Sequence, residues 1–393
     1  MAPAVPAPPV DPLLAAAPAV TAAASALLGP LVDVSSPSGD HDGYERCVEL
    51  VTGALPEGAE VERLACSTDG FPPDLLVRLE GTGRARLVLL GHLDTVVAHG
   101  EHRPFVVDGH RWDGSGTFDM KGGDALAVGV LGALAAPAVR ERYAEVALLL
   151  VSDEEWRSAP FAHGARFADW DACLCFEGGE RTATGDEAVV VRRKAASTIH
   201  VAAIGRAAHA GSRPDDGRNA LVALARVAVH LAARHDPRGP EALSVVPTIL
   251  RSGGALNVVP DAGELVCDLR ADDLASVERV LATIPAQLDG VALESWLGRR
   301  WPGMDHRTVA APVLRRAGSL LGRAIVPAAR GGASDASHLA QHVRVAIDGL
   351  GPLGGGAHAV DEHVDGRSLG ERAEVALAVA AALLDRDASR EGS

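Results

Sequence analysis

The 393-residue sequence predicts an α/β protein. We expect a discontinuous larger domain with a central mixed, mainly parallel sheet flanked by helices, interrupted by a ferredoxin-like α+β insert. Two observations predict this fold. Short apolar runs alternate with longer helical stretches in the first and last parts of the chain, an order typical of α/β domains. Between about residues 190 and 298 the order changes to β-α-β-β-α-β, which is typical of a ferredoxin-like unit.

Four short apolar runs predict the strands of the larger domain, and one long run predicts a helix between the first two. The predicted strands are Leu87–Leu90, Val146–Val151, Ala172–Phe176 and Val343–Ile347, and the predicted helix is Asp124–Ala135. The fourth strand comes after the insert. The larger domain should therefore be built from residues 1–190 and 299–393, with the insert spanning residues 191–298.

The insert has its own regular pattern of four strands and two helices. The predicted strands are Thr198–Ala203, Ser244–Ile249, Gly263–Leu269 and Val291–Trp296, and the predicted helices are Asn219–Ala233 and Leu274–Leu288. Strands that alternate apolar and polar residues indicate a sheet with one buried face, which the two helices would cover.

Composition excludes several classes of protein. The formal charge of −15, from 37 basic and 52 acidic residues, argues against a nucleic-acid partner. No uninterrupted apolar run reaches the ~18 residues that a membrane span needs, so we expect no membrane partner. Five scattered cysteines without CxxC pairs, and a first stretch unlike a secretory signal, favour a reducing, cytoplasmic location.

Acidic and imidazole side chains follow all four strands of the larger domain. Ligands bind beyond the carboxyl ends of strands in open α/β sheets, so these side chains should meet at one edge. Each residue alone would more often be a solvated loop residue, but their joint occurrence is hard to explain that way. The candidates, with one further aspartate in a glycine-rich loop, are His92, Asp94, Asp119, Glu154, Glu155, Glu177 and His358.

This set contains enough donors for two divalent metal ions. Zinc takes imidazole and carboxylate ligands, and without cations the crowded carboxylates would repel one another. Asp119, between glycines, suits a carboxylate that bridges two metals. Glu155 is the expected ligand, and Glu154 the general base and acid acting on a di-metal-bound water. Asp94 should hold the second imidazole nitrogen of His92.

The motifs around these residues resemble those of a known family. Gly91 to Val96, Gly116 to Gly123 around Asp-Met-Lys-Gly-Gly, and Ser152 to Glu155 are similar to di-zinc metallopeptidases. That family includes glutamate carboxypeptidases, aminoacylases, acetylornithine deacetylases and succinyl-diaminopimelate desuccinylases. The resemblance implies one metal on His92, Asp119 and Glu177, and another on Asp119, Glu155 and His358. Glu154 would be the catalytic carboxylate.

The insert also resembles the lid and dimerisation domain of that family. The segment Gly205 to Gly211 implies that His209 reaches a partner subunit's active site and helps hold the oxyanion. Asn257 and Arg270 resemble residues that grip the substrate, and an arginine fork suits a carboxylate. The alternative for Arg270 is an ion pair with Asp268 or Asp272. Ser334, in Gly331–Asp335, resembles part of a loop near the substrate.

Together these features predict an enzyme that hydrolyses an amide bond next to a free carboxylate. A carboxypeptidase of the glutamate-carboxypeptidase type or an N-acyl amino acid hydrolase is expected, as a homodimer with two zinc ions. Cobalt and manganese are alternative metals. The alternative functions are a deacetylase, desuccinylase or dipeptidase acting in biosynthesis, and a non-catalytic member of the family. The substrate would be a small molecule or peptide with a free carboxylate.

Overall fold

The computed structural model describes residues 11–385. The helices of this part of the chain are α1 Pro12–Ala15, α2 Ala17–Asp33, α3 His41–Gly53, α4 Gly122–Leu134, α5 Pro137–Arg140, α6 Ala220–Ala232, α7 Leu274–Leu281, α8 Arg307–Leu321, α9 Asp335–Leu339 and α10 Ser368–Leu384. None of these helices is both long and apolar enough to cross a bilayer.

The strands of the same residues form four sheets. They are β1 Glu60–Leu64, β2 Asp74–Glu80, β3 Ala85–His92, β4 Val106–Asp108, β5 Arg111–Asp113, β6 Tyr143–Val151, β7 Ala172–Cys175, β8 Glu180–Arg181, β9 Glu187–Arg193, β10 Ala195–Ile204, β11 Ser244–Ser252, β12 Ala262–Ala271, β13 Gln287–Leu288, β14 Val291–Trp301, β15 Met304–Asp305, β16 Ile325–Arg330, β17 Val345–Ile347, β18 Gly354–Gly355 and β19 His363–Asp365.

The central sheet has the strand order β1-β2-β6-β3-β7-β17. The pairs β6/β3, β3/β7 and β7/β17 are parallel, whereas β1/β2 and β2/β6 are antiparallel. The four parallel strands are those that the apolar runs predicted, so the prediction of a mixed, mainly parallel sheet is confirmed. Their carboxyl ends lie at one edge of the sheet.

Both faces of this sheet are covered. In β6, the side chain of Leu148 packs into a core shared with α2, α4 and α10, whereas that of Leu149 packs on the opposite side with residues of α9. Strands buried on both faces are apolar at consecutive positions rather than at alternate ones, which explains the continuous runs in the sequence.

The ferredoxin-like insert is also confirmed. Its strands form an antiparallel sheet of order β11-β12-β10-β14-β13, and α6 and α7 bury their apolar side chains against one face. Asn219 and Asp273 cap the two helices by accepting hydrogen bonds from backbone N–H groups. The prediction that the second helix reaches Leu288 is wrong. That helix ends at Leu281 because Pro285 follows closely and residues 287–288 pair with β14 instead.

Two short connections join the insert to the rest of the protein. Strand β9 pairs with β15, β16 and β8, and β10 begins two residues after β9 ends. Strand β14 ends at Trp301, and β15 begins at Met304. The predicted boundaries at 190 and 298 therefore fall inside strands. We propose that the insert is bounded by these connections, near residues 194 and 302.

Candidate metal centre and active site

The predicted site residues meet at the carboxyl edge of the central sheet. His92 is the last residue of β3, Glu154 and Glu155 lie in the turn after β6, and Glu177 follows β7. Asp119 lies in an irregular turn before α4, and its peptide bond to the next residue is cis. The seventh candidate, His358, comes from the loop before β19, with a φ of 62°.

The loop that carries Asp119 packs tightly against the strand ends. A Cβ atom added at Gly123 would lie 1.8 Å from the carbonyl oxygen of Phe176, next to Glu177. Gly116 has a φ of 79°, in the left-handed region that glycine adopts readily. Glycine at these two positions therefore allows the close approach that the sequence analysis expected.

Two groups of donors share Asp119. In the first, His92 Nε2 lies 3.2 Å from Asp119 Oδ1 and 3.8 Å from Glu177 Oε1. In the second, His358 Nε2 lies 3.1 Å from both Asp119 Oδ2 and Glu155 Oε1. The two oxygens of Asp119 thus face different groups, which is the arrangement of a bridging carboxylate. Within each group the donor atoms lie within 4.8 Å of one another.

The electrostatics of the site favour bound cations. Burial, together with the nearby Asp119 carboxylate, raises the pKa of Glu177 to about 8. Burial likewise raises the pKa values of Glu154 and Glu155. Hydrogen bonds to Asp119 and Glu155 raise the pKa of His358 to about 10. The raised carboxyl pKa values mean that the negative charges are unfavourable without a nearby cation. Imidazole and carboxylate donors are also the ligands that zinc and similar ions take, so the residues fit a divalent metal centre.

Glu154 lies beside both donor groups. Its carboxylate forms a third group with the His92 and Glu155 side chains, again within 4.8 Å, and the residue is only 9% exposed. The Glu155 carboxylate also contacts His358, whose Nε2 lies 3.1 Å from Glu155 Oε1.

Asp94 holds the backbone of the turn that carries Glu154 and Glu155, and its carbonyl oxygen lies nearer to the His92 imidazole than its carboxylate does. Its carboxylate accepts hydrogen bonds from the N–H groups of Glu154 and Glu155, both at 3.2 Å, and from Ser38 Oγ at 2.6 Å. His92 Nδ1 lies 3.0 Å from the Asp94 carbonyl oxygen and 3.4 Å from its carboxylate. The nearer partner of the second imidazole nitrogen is therefore the main-chain carbonyl of Asp94, not its carboxylate as expected.

Glu362 is a site residue that the sequence analysis missed. Its buried carboxylate accepts hydrogen bonds from the N–H groups of Gly116 at 2.7 Å, and of Phe118 and Asp119 at 3.0 Å each. These bonds fix the loop that carries Asp119. The only available signal was that Glu362 lies four residues after His358.

The lid residues His209 and Asn257 lie on neighbouring loops. The N–H of Ala210 donates to the Asn257 carbonyl at 2.9 Å. His209 is exposed, and its Nδ1 accepts hydrogen bonds from the N–H groups of Gly211 and Ser212 at 3.1 and 3.2 Å. Because Nδ1 is an acceptor, the ring proton lies on Nε2, which is free to donate.

The other two predicted substrate residues have partners within the protein. Arg270 forms an ion pair with Asp268 on the same strand, at 3.1 and 3.2 Å, so the alternative left open by the sequence is present. Ser334 is fully buried, and its hydroxyl donates to Asp348 at 2.6 Å. The Ser334 hydroxyl is thus directed toward Asp348 inside the protein, and a contact of Ser334 with a substrate stays a prediction.

Comparison with known proteins identifies the family. Residues 88–382 match Peptidase family M20/M25/M40. The chain is 27% identical over 355 residues to carboxypeptidase G2 from Pseudomonas sp. (strain RS-16), covering 85% of this chain and 83% of that protein. It is 32% identical over 324 residues to succinyl-diaminopimelate desuccinylase from Xanthomonas oryzae pv. oryzae (strain MAFF 311018), covering 74% and 82%.

Solved structures show the same fold. The aminopeptidase PepT from Bacillus cereus ATCC 10987 superposes with a TM-score of 0.74 at 19% identity, covering 92% of this chain and 98% of that one. An M20 family metallo-carboxypeptidase, Sso-CP2 from Sulfolobus solfataricus, gives 0.71 at 15% identity, covering 92% and 99%. With the sequence match over residues 88–382, the chain belongs to Peptidase family M20/M25/M40.

Proposed function

We propose that this M20-family hydrolase cleaves an amide bond next to a free carboxylate, as a carboxypeptidase or an N-acyl amino acid hydrolase. The observation that carries the proposal is the pair of donor groups that share Asp119, with Glu154 beside both. Five ligands and a general base are all present, which argues against a non-catalytic member of the family.

Two divalent metal ions, zinc or alternatively cobalt or manganese, would be held by these residues. His92, Asp119 and Glu177 would hold one, and Asp119, Glu155 and His358 the other. When bound, such ions polarise a carbonyl oxygen and lower the pKa of water toward ~7.

Glu154 would act as both general base and general acid. Its carboxylate would take a proton from the attacking water and deliver it to the nitrogen of the leaving amine. Asp94 supports this role, since it holds the backbone N–H groups of Glu154 and Glu155 and so fixes the direction of both carboxylates.

His209 would stabilise the oxyanion from the lid of a partner subunit, which makes a homodimer part of the proposal. The Nε2–H that faces outward is a donor of the kind that an oxyanion needs. Mixing inactive His209→Ala and Glu154→Gln protomers tests this arrangement. Activity should return in the mixed dimer, and its absence would contradict a contribution across subunits.

Arg270 would bind the substrate carboxylate, with Asn257 holding a further polar group. In the absence of substrate, Asp268 occupies the Arg270 fork. A substrate carboxylate would therefore have to compete with Asp268 or share the guanidinium with it, which an exposed ion pair of this kind allows.

The similarity to the desuccinylase at 32% identity favours a second candidate, hydrolysis of an N-succinyl amine.

We also propose a cytoplasmic location, supported by the five cysteines, which are all free thiols.

A panel of substrates tests the proposed function. Metal-loaded protein should be incubated with N-acyl amino acids, N-succinyl amino acids, glutamate conjugates and dipeptides, and the products identified by mass spectrometry. Cleavage that requires Glu154 and a carboxylate next to the amide is expected. Cleavage of none of these amides would contradict the proposal, and cleavage of the succinyl substrates alone would favour the second candidate.

A further inference from the structure

A buried arginine lies at the end of the turn that carries Glu154 and Glu155. The turn is closed by hydrogen bonds from the N–H groups of Trp156 and Arg157 to the Asp153 carbonyl, at 3.2 and 2.8 Å. The Arg157 side chain has no exposed surface. The position of this guanidinium and that of the catalytic turn are therefore linked directly.

The Arg157 guanidinium joins two carboxylates from different elements. Its Nε donates to Asp153 Oδ1 at 2.9 Å. Its two terminal nitrogens donate to Asp335, the first residue of α9, with the Nη2–Oδ2 distance at 2.8 Å. Only the planar fork of arginine can satisfy both carboxylates at once.

Arg157 also contacts the strand by which the insert returns to the catalytic domain. Trp301, the last residue of β14, donates its indole N–H to the Arg157 carbonyl at 3.3 Å. The centre of the Trp301 ring lies 5.3 Å from the guanidinium carbon, and the centre of the Phe161 ring lies 4.8 Å from it. One connection of the insert thus ends on this arginine.

The other connection reaches the same network. Arg193, the last residue of β9, donates to Asp348 Oδ2 at 2.6 Å, and that oxygen also accepts from Ser334 Oγ at 2.6 Å. Ser334 immediately precedes Asp335. Two sets of buried polar contacts, joined by the peptide bond between Ser334 and Asp335, therefore link one connection of the insert through α9 and Arg157 to the other.

We propose that Arg157 is a positioning residue that couples the orientation of the insert to the turn carrying Glu154 and Glu155. The proposal rests on the proposed function for its catalytic consequence, but the coupling itself is a property of the fold. A buried polar group that loses its hydrogen-bond partner destabilises the folded state. A shift of Trp301 should therefore move the turn with it, because otherwise the Arg157 carbonyl would lose its donor.

Hydrogen exchange tests the coupling without any substrate. Trp301→Phe removes the indole N–H on the insert's strand, and the amides of Trp156 and Arg157 report on the catalytic turn. Exchange of these amides should rise about threefold to tenfold, the effect of one hydrogen bond. The matched control is Arg300→Ala, which removes an exposed ion pair between Arg300, the residue before Trp301 on β14, and Glu278 of α7; it should leave the turn unchanged.

Equal exchange in the Trp301→Phe protein and the wild type would overturn the coupling. A uniform rise over the whole domain would also overturn it, since that is the result of a merely structural role.

Kinetics test the positioning role. In Arg157→Lys a single ammonium group replaces the planar guanidinium and cannot hold Asp153 and Asp335 in the same way. We expect kcat to fall at least about tenfold, with KM and bound metal per chain within twofold of wild type. The control is Arg192→Lys, which alters a partly exposed ion pair with Asp272 beside Arg193, at the other connection of the insert. An unchanged kcat in Arg157→Lys, or equal losses in both variants, would refute the positioning role.

If Arg157→Lys fails to fold, the kcat of Trp301→Phe decides, with a fall expected at unchanged KM. If the wild type cleaves no amide of the panel, the proposed function fails, while the exchange experiment still tests the coupling.

Discussion

Replacement of Glu362 by glutamine tests how the protein fixes Asp119, the proposed bridging ligand. The Glu362 carboxylate accepts three hydrogen bonds, at 2.7 to 3.0 Å, from the backbone N–H groups of Gly116, Phe118 and Asp119. Hydrogen bonds to a charged acceptor contribute about 1.5–3 kcal/mol each. Glutamine keeps one accepting oxygen, but its amide NH₂ group must face at least one N–H donor.

We therefore expect Glu362→Gln to destabilise the loop by about 2–4 kcal/mol, because it loses one charge-assisted bond and sets two donors against each other. Outer residues that orient metal ligands affect affinity by about 10- to 100-fold. Titration of the metal-free protein with Zn²⁺ against a competing chelator should show a loss of this size, with a lower Tm.

The control is Glu371→Gln, which removes a half-exposed ion pair with Arg181 on the surface and should change neither quantity. Zinc affinity within twofold of wild type in Glu362→Gln would refute the reasoning, since the loop would then hold Asp119 without the carboxylate.

Three further predictions concern stability and substrate binding. Arg372→Met should lower the free energy of unfolding by about 3–5 kcal/mol in denaturant titrations, because it removes a buried guanidinium that pairs with Glu187 at 2.9 Å and donates to three backbone carbonyls, while only the partly exposed Arg181 remains beside Glu187. Burial lowers the pKa of His338 to about 4, so the folded state binds fewer protons than the unfolded one between about pH 6.5 and 4. Wild-type stability should then fall by about 2 kcal/mol from pH 7 to 5, and His338→Phe should abolish this contribution. Arg270→Ala should raise KM for carboxylate-bearing substrates about 10-fold or more, whereas Asp268→Ala should lower it; an unchanged KM in both would exclude the clamp.

The sequence predicted the central sheet and several of the side chains that meet at its edge, because both leave local signals. Strands buried on both faces appear as continuous apolar runs, and His92, Glu154, Glu155 and Glu177 follow them directly. Parallel strands place their carboxyl ends at one edge, so sequence order alone was enough to bring these residues together.

Other features depend on tertiary contacts that no local pattern marks. Glu362 and Arg157 are single charged residues in polar stretches, and only folding reveals that both are buried. The hydrogen bond from the Ser334 hydroxyl to Asp348, at 2.6 Å, joins residues 14 positions apart and has no local signal in the sequence. The second helix of the insert was extended too far because apolar residues continue past its end into a short edge strand.

Metal stoichiometry tests the central claim most directly. Wild-type, His358→Ala and Asp119→Ala proteins should be saturated with Zn²⁺, freed of excess metal and measured by elemental analysis. Two sites that share Asp119 predict about two ions in wild type, about one in His358→Ala and none held tightly in Asp119→Ala. A wild type that binds a single ion, or an Asp119→Ala protein that keeps two, would contradict the bridged metal centre.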